Sequence, residues 1–463
     1  MNLELYGKAI DLKRFILLVA APLVCCAVAV AIFLPAGLML ALMLLFALPV
    51  IFLCFDRPTI VFYILILILF SNLDVYAPFR LYRYILSFLL ATFAIDVANG
   101  RRIVAHHPPL IALMCAFAIL AFQSLSVAHD FGAATKYLGS FFKVLVSVVI
   151  VSQFTRNRLE FRRFLLVLAG GILLSDYLPF IVHPPDRFAS LSTLWSRGVV
   201  RYEGFVFEPN GFALFQLFLI PVLVFFAGVY RKPIIARLFF ALLILASIYV
   251  LVLSFSRGGF VGLACILVSL VVIERRNKPL FIFGLSLIAA TIIFVPGVYW
   301  ERMGSVFDFA TKRAGDFAIY TRIETMRVAL RLGLAHPLLG VGMGNFIPSA
   351  AYFIPFGLNV HNVFLQIFAD LGFVGISLFI GIVVYNIRIV LRMMKNGDDP
   401  EVALVGRALL MQHIAILVSS FFLPAFNDMN IWLMLALPAI AENAYRSESR
   451  TEGAVPSVSI GRK

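Results

Sequence analysis

The chain has 463 residues, of which 62% are hydrophobic and only 13% are charged. Soluble proteins are about half apolar and about a quarter charged, and the mean hydropathy of this chain is +1.01. The composition excludes a soluble enzyme, a disordered protein and a secreted disulfide scaffold. It predicts an all-α polytopic membrane protein.

Lysine and arginine outnumber the acidic residues by 38 to 24, which gives a net charge of +14. In a membrane protein such an excess is explained first by the basic residues that concentrate in cytoplasmic loops. We therefore expect no nucleic-acid partner. The cysteines show neither CxxC nor Cys/His spacing, and no cluster of carboxylates and histidines has the spacing of metal ligands. We therefore expect no disulfide, no metal and no cofactor.

Apolar stretches of the length that crosses a bilayer recur along the chain. They predict about 14 transmembrane helices, within a range of about 12–14, in a single integral membrane domain over residues 1–463. Two outward loops are large, at 183–210 and 298–361, and residues 446–463 form a tail. The predicted spans are 15–34, 36–55, 59–73, 82–98, 110–127, 138–154, 164–182, 211–230, 236–255, 259–273, 280–297, 362–390, 404–423 and 429–445.

Basic residues predict the orientation of the spans. Most of the 38 Lys and Arg fall in one alternate set of loops, at positions such as Arg101, Arg156, Arg231, Arg275 and Arg392. By the positive-inside rule these loops are cytoplasmic, so both termini are cytoplasmic as well. The two large loops then face the cell exterior or periplasm, and loops on a rigid scaffold commonly carry function.

The first outward loop ends in the sequence RYEGFVFEPNGF. Asn210 is a suitable N-cap for the span that follows, and Glu208 lies close to it. Arg201 falls where the membrane surface begins. It is either an interfacial arginine that reaches lipid phosphates or part of an anion site at the rim of a cavity.

The segment SFSRGGFVGL predicts a tight outward turn between two spans. Gly258 and Gly259 would permit the reversal, and Arg257 would lie at its tip. An anchoring arginine in a turn and an anion-binding arginine both fit this pattern.

The long outward loop has Arg302 near its start and then Thr321-x-x-Glu324, the pattern of a helix capping box. This pattern predicts an amphipathic helix that begins at Arg322 and lies at the outer face of the membrane. Its apolar stripe consists of Ile323, Met326, Leu330 and Leu334.

Three glycines follow in the sequence GVGMGNF, which superficially resembles a nucleotide-binding loop. No strand is predicted before it and no Walker lysine follows it. We interpret Gly340, Gly342 and Gly344 as a flexible or tightly packed turn.

His361 directly precedes a span that Asn362 could cap. The positive end of a helix dipole disfavours a charged imidazole, so His361 should be neutral at pH 7 and able to accept a proton. A lone interfacial histidine often has no task, but several arginines lie in loops that must pack over the same bundle. No Ser/His/Asp or Cys/His triad is visible.

Three segments now occur in order: RYEGFVFEPN, SRGGFVGL, and TRIETMRVAL with PLLGVGMGNF and HNVFLQIFADLGFVGI. Over residues 200–385 the chain resembles the O-antigen ligase family, which also includes O-antigen and exopolysaccharide polymerases. The resemblance implies a GT-C-like glycosyltransferase of the bacterial inner membrane whose active site faces the periplasm. It implies catalytic roles for Arg201, Arg322 and His361. The candidate substrate-binding residues are Arg257, Arg302, Asn362, Glu208 and Asn210.

The resemblance also implies the partners. The donor would be an undecaprenyl-pyrophosphate-linked glycan, and the acceptor would be the lipid A core for a ligase or a growing glycan for a polymerase. Arginine suits a pyrophosphate, and neutral His361 suits a general base in a metal-independent, inverting displacement.

Two functions of other classes stay open. The chain could be a transporter or flippase for a lipid-linked glycan, or a structural partner in envelope synthesis. A transporter should show inverted repeats or charged residues in the middle of spans. Only Asp176 and His413 fit the second criterion, and each is isolated in the sequence.

Overall fold

Apolar helices make up most of the computed structural model. It describes residues 2–5, 8–11, 57–73, 81–99, 107–182, 202, 204, 206, 208–230, 234–275, 278–294, 297, 299–300, 317–355, 357–395, 399–424 and 426–452. The chain forms two compact units, Met1–Phe62 and Tyr63–Lys463. The first contains a hairpin that was not predicted, in which β1 (Asn2–Leu5) pairs antiparallel with β2 (Lys8–Asp11).

The helices of the described residues follow the predicted spans. Seven of them are long and apolar enough to cross a membrane, and three shorter helical stretches are also apolar. They confirm a polytopic helical membrane protein, while the predicted spans 15–34 and 36–55 lie outside the described residues. The helices are α1 (Pro58–Ser71), α2 (Leu81–Ala98), α3 (Pro108–Gln123), α4 (Phe131–Phe154), α5 (Arg158–Val182), α6 (Pro209–Val229), α7 (Ile234–Leu253), α8 (Arg257–Ile273), α9 (Lys278–Phe294), α10 (Phe317–Ala335), α11 (Phe346–Ala350), α12 (Val363–Lys395), α13 (Pro400–Ser419) and α14 (Met429–Glu452).

Helix α6 lies at the centre of the second unit, with nearly all of its side chains buried. It contacts α5, α7, α8, α13 and α14. Small residues on α8 allow the closest of these approaches. A Cβ at Gly262 would lie 2.3 Å from Leu217 of α6 and 2.4 Å from Ser419 of α13. Because no larger residue fits there, α8 packs directly against both helices.

Helix α12 is broken at Gly372, where φ is 65° and ψ is −163°. The rings of Phe364 and Phe379 lie 5.9 Å apart between centroids, whereas on a straight helix their Cα atoms would be about 22 Å apart. Residues 363–371, which we call α12a, therefore fold back toward residues 373–395, which we call α12b. The prediction of one continuous span over 362–390 is wrong in this respect.

The glycine-rich segment after α10 docks on this break. The backbone N–H groups of Val341 and Gly342 donate to the carbonyls of Ala369 (2.9 Å) and Asp370 (3.0 Å). The buried Asp370 carboxylate accepts from the backbone N–H groups of Gly344 and Phe346, each at 3.1 Å. The three glycines have φ of 66°, 96° and 74°, so the predicted tightly packed turn is confirmed.

Helix α10 begins at Phe317, not at Arg322 as the capping-box pattern predicted. Thr321 therefore lies inside the helix and is buried, and Glu324 instead binds Arg327 at 2.5 Å. Helix α10 packs on α12 with a face that differs from the predicted apolar stripe. Its buried members are Thr321, Thr325, Val328, Ala329 and Leu332.

Candidate functional site

Four helices begin close together at one end of the bundle. Ser256 Oγ, before α8, donates to Asn210 Oδ1 at the start of α6 (3.0 Å). Ser419 Oγ at the end of α13 donates to the carbonyl of Gly258 in α8 (2.7 Å). The N–H of Val363, which starts α12a, donates to the carbonyl of Ser420 (2.8 Å). Asp428, before α14, interacts electrostatically with Glu208, before α6.

We call the first residues of α6, α8, α12a and α14 the helix-start cluster. Each helix directs the positive end of its dipole toward its start, together with backbone N–H groups that have no acceptor within the helix itself. An end of the bundle where several helices begin therefore favours anions. Arg257, the first residue of α8, adds a positive charge to this cluster, which also contains the carboxyl groups of Glu208 and Asp428.

Glu208, rather than Asn210, is the N-cap of α6. Its carboxylate accepts from the N–H of Gly211, and Pro209 occupies the first helical position, where proline is favoured. Asn210 has a different role, since its Nδ2 donates to Glu208 Oε1 at 2.7 Å while its Oδ1 accepts from Ser256. The two predicted binding residues thus belong to one hydrogen-bonded chain that joins α6 to α8.

The turn before α8 also differs from the prediction. Ser254 and Phe255 make the turn, and Phe255 takes the left-handed conformation with φ of 48°. Gly258 and Gly259 lie inside α8, where a Cβ at Gly259 would be 2.6 Å from Ala213. Arg257 is therefore held by a helix that is capped by Ser256, and it does not lie at the tip of a loop.

Asp428 is a member of the cluster that the sequence did not reveal. Its Oδ1 accepts from the backbone N–H (2.7 Å) and the Nδ2 (2.8 Å) of Asn430. Burial raises the pKa of the Asp428 carboxyl above its ordinary range, the bonds from Asn430 oppose this, and the Glu208 carboxylate raises the pKa further. In the sequence Asp428 is an Asp two residues before the first buried position of a span. Many helix caps have this pattern, so it does not mark Asp428 as part of a site.

We expect Asp428→Asn to weaken the pH dependence of stability. Because the folded-state pKa lies above the ordinary value of 3.8, the folded protein holds this proton more tightly, and the free energy of unfolding falls as pH rises through that interval. Asparagine keeps the cap but not the charge. Thermal unfolding in detergent between pH 4 and about pH 8 measures this, and equal pH dependence in both proteins would contradict it.

His361 lies at the start of α12a, next to its N-cap. Asn362 Oδ1 accepts from the N–H of Leu365 at 3.0 Å, which confirms that Asn362 caps this helix. His361 Nδ1 lies 3.2 Å from the carbonyl oxygen of Asn359. Because a carbonyl only accepts, Nδ1 carries the proton of the neutral ring, and Nε2 carries the lone pair that can take another.

Helical spacing places Arg322 on the side of α10 that packs against α12a. Arg322 shares a stripe of α10 with Met326, Ala329 and Gly333, at the spacing of one helix face. A Cβ at Gly333 would lie 2.4 Å from Phe368 of α12a, and the carbonyl of Pro337 accepts from the N–H of Phe373 at 2.7 Å.

The Gly333 contact joins α10 to α12a, and the bond from Phe373 to Pro337 lies just beyond the ends of both helices. From the order of these two contacts we expect the start of α10, which carries Arg322, to lie toward the start of α12a and His361. Val360, the neighbour of His361, belongs to the same core as Val328 and Ala329 of α10. The other predicted arginines, Arg201 and Arg302, lie outside the described residues.

Ion pairs join helices at the opposite end of α8, where Glu274 follows the last turn. Arg407 Nε lies 2.7 Å from Glu274 Oε1, and the carboxylate of Glu442 binds His107 Nε2 at 2.8 Å. Arg158 binds Asp399 at 2.5 Å. These basic residues are paired with acidic residues of the protein, so they have structural partners.

The isolated mid-span residues also have partners. Gln216 Nε2 donates to Asp176 Oδ1 at 2.8 Å, and His413 Nδ1 lies 2.8 Å from the Leu409 carbonyl oxygen. Within the described residues, no three His, Cys, Asp or Glu side chains group as metal ligands would.

The architecture defines a polytopic helical membrane protein with a polar site where several helices begin. Residues 240–380 match the family model described as O-Antigen ligase, a stretch that contains Arg257, Arg322, His361 and Asn362. The match confirms the resemblance to the O-antigen ligase family. It supports a ligase- or polymerase-like membrane enzyme of polysaccharide assembly with a lipid-linked glycan and an acceptor as partners. Comparison with curated proteins gives no match.

Proposed function

We propose that the chain is an O-antigen ligase. It moves a glycan from an undecaprenyl-pyrophosphate carrier to a sugar hydroxyl of the lipid A core, at the outer face of the bacterial inner membrane. The observation that carries the proposal is the helix-start cluster with its arginine. The starts of α8 and α12a, two of the four helices of this cluster, lie within residues 240–380, which match the O-antigen ligase model. A GT-C-like, metal-independent, inverting mechanism is part of the proposal.

The pyrophosphate of the donor is the group that the cluster suits. In the displacement, the bond between the anomeric carbon and the pyrophosphate oxygen breaks, and negative charge grows on the departing pyrophosphate. Arg257, Arg322 and the helix N-termini would stabilise this charge because they are already oriented before the reaction. Arg201 and Arg302 are proposed to add to the same anion site.

His361 would act on the acceptor. The acceptor hydroxyl forms the new bond to the anomeric carbon and must lose its proton. The Nε2 lone pair of His361 would take that proton, while the Asn359 carbonyl holds the ring orientation and favours the imidazolium that forms. Glu208 and Asn210 would bind sugar hydroxyls at the rim, and Asn362 would keep His361 at the helix start.

Transfer by the purified protein tests this proposal directly. The protein is reconstituted with an undecaprenyl-pyrophosphate-linked glycan and either lipid A core or a second lipid-linked glycan. Transfer to the core supports the ligase, and chain growth on the second carrier supports the polymerase alternative. Movement of the intact donor across the bilayer without bond change would support a transporter or flippase instead.

The orientation yields a separate prediction. With both termini cytoplasmic, a tag inserted after Arg276 is expected inside the cell and a tag near Ala314 outside, because the basic loops stay in the cytoplasm. Labelling of single cysteines with an impermeant reagent in intact cells measures both. If position 276 reacts and position 314 does not, the orientation is reversed and the proposed site faces the wrong compartment.

A further inference from the structure

Helix α10 has a second face that no part of the described protein covers. Leu330, Leu334 and Leu338, the last just beyond the helix, are 47%, 58% and 69% exposed. At about 100° per residue, Leu330 and Leu334 share a stripe with Arg327 and Arg331. Arg322 lies on another side of the helix, toward α12a. Arg322 thus lies on the side of α10 that packs on the protein. Arg327, Arg331, Leu330, Leu334 and Leu338 lie on the second side, which we call the outward face.

The outward face combines apolar and basic groups. Both Arg327 and Arg331 are exposed, and the guanidinium of Arg331 lies 4.7 Å from the ring centroid of Phe353. Phe353 is itself exposed, so the apolar surface continues beyond α10. Leucines flanked by arginines and an aromatic ring are the composition of a surface that lies in a membrane interface.

This face continues into a surface that meets lipid. A Cβ at Gly372 would lie 2.6 Å from the backbone of Leu338, which places Leu338 at the start of span α12b. The first residues of that span, Phe373 and Val374, are also exposed. Phe373 and Val374 of the span and Leu338 of the outward face thus belong to one apolar surface. This surface begins on α12b and continues onto α10.

We propose that the outward face of α10 docks on the leaflet from which it emerges, with its leucines at the acyl boundary and Arg327 and Arg331 on anionic phospholipid headgroups. The positive charge of the arginines complements the phosphates, and the lipid covers leucines that water would otherwise surround. The docking fixes the height of α10, and with it of Arg322, relative to the membrane surface. The proposal depends on the fold and not on the proposed reaction.

A nitroxide label at Leu334→Cys tests the docking in the full-length protein with its native cysteines replaced. The protein is reconstituted in vesicles that contain phosphatidylglycerol, and the label's relaxation by oxygen and by a water-soluble nickel complex is compared. His336→Cys is the matched control, because His336 is exposed but turned about 200° around the helix from Leu334. We expect oxygen to dominate at position 334 and nickel at position 336.

Equal access of the nickel complex to both labels would overturn the proposal. Dipolar broadening between labels would also overturn it, because it would show that a second copy of the protein covers this face. The same holds if the label at position 334 is protected from nickel only after lipid-linked donor is added. In vesicles, Arg327→Gln combined with Arg331→Gln should reduce the preference for phosphatidylglycerol over phosphatidylcholine by about fivefold per arginine. An unchanged preference would overturn the assignment to anionic headgroups, whatever the result of the transfer assay.

Discussion

His361→Ala is expected to lower the rate of glycan transfer by about 10²–10⁴-fold, the usual contribution of a general base. The protein should still insert and still bind the lipid-linked donor, because the side chain does not cap α12a; Asn362 does. The rate in the wild-type protein should also fall as the imidazole becomes protonated, which for an ordinary histidine occurs near pH ~6.5. The measurements are the single-turnover rate across pH and donor binding at equilibrium.

Two variants separate a base from a positioning group. His361→Gln keeps a hydrogen-bonding side chain that cannot take a proton at neutral pH, so it should be as slow as His361→Ala. His336→Ala removes an exposed histidine that follows α10, and it should leave the rate unchanged. If His361→Gln transfers glycan at the wild-type rate with the wild-type pH profile, the base must be sought elsewhere, first at Glu208 and Glu203 of the opposing loop; Glu203 lies outside the described residues.

Arg322→Ala is expected to slow transfer by about 10- to 200-fold. This range corresponds to the loss of one charge-assisted hydrogen bond to phosphate, about 1.5–3 kcal/mol. Arg322→Lys should recover only part of the rate, since lysine keeps the charge but loses the planar pair of donors. The steady-state rate at saturating donor, with the donor Kd measured separately, distinguishes an effect on the transition state from one on binding.

Arg327→Ala is the matched control for this prediction. Arg327 lies on the same helix but on its outward face, where it binds Glu324, and exposed pairs of this kind contribute little to stability. Its removal should slow transfer far less than the removal of Arg322, because Arg331 and the leucines still hold the outward face on the lipid. Equal losses in both variants would show that the positive charge of α10 matters as a whole, and Arg322 would then have no specific place in the site.

Much of the helical architecture could be predicted because a lipid-spanning helix needs a long apolar run, which is a local property. The break at Gly372 could not. A single glycine in a continuous apolar run is usually tolerated within a helix. Here the glycine-rich segment supplies other partners at the break. The N–H groups of Val341 and Gly342 bond to backbone carbonyls just before Gly372, and the Asp370 carboxylate accepts from the same segment. These partners are distant in sequence from the helix.

The helix starts show the same limit on a smaller scale. Asn210 is the better N-cap by residue type, yet Glu208 caps α6, and Pro209 in the first position was the local signal for this. Thr321 and Glu324 have the spacing of a capping box, but α10 begins at Phe317, five residues before the predicted start, and Thr321 is buried within it. Asp428 enters the helix-start cluster only through its proximity to Glu208, which no local pattern encodes.

The break in α12 also bears on bilayer thickness. A straight helix over its 33 residues would be about 50 Å long, so it would have to tilt steeply or extend well beyond a hydrocarbon core of about 30 Å. The part after Gly372 is about 34 Å long and can stand nearly upright. Since α12a folds against its own span through Phe364 and Phe379, the depth of His361 is set within the protein. A thicker or thinner bilayer would then move the histidine and its span together.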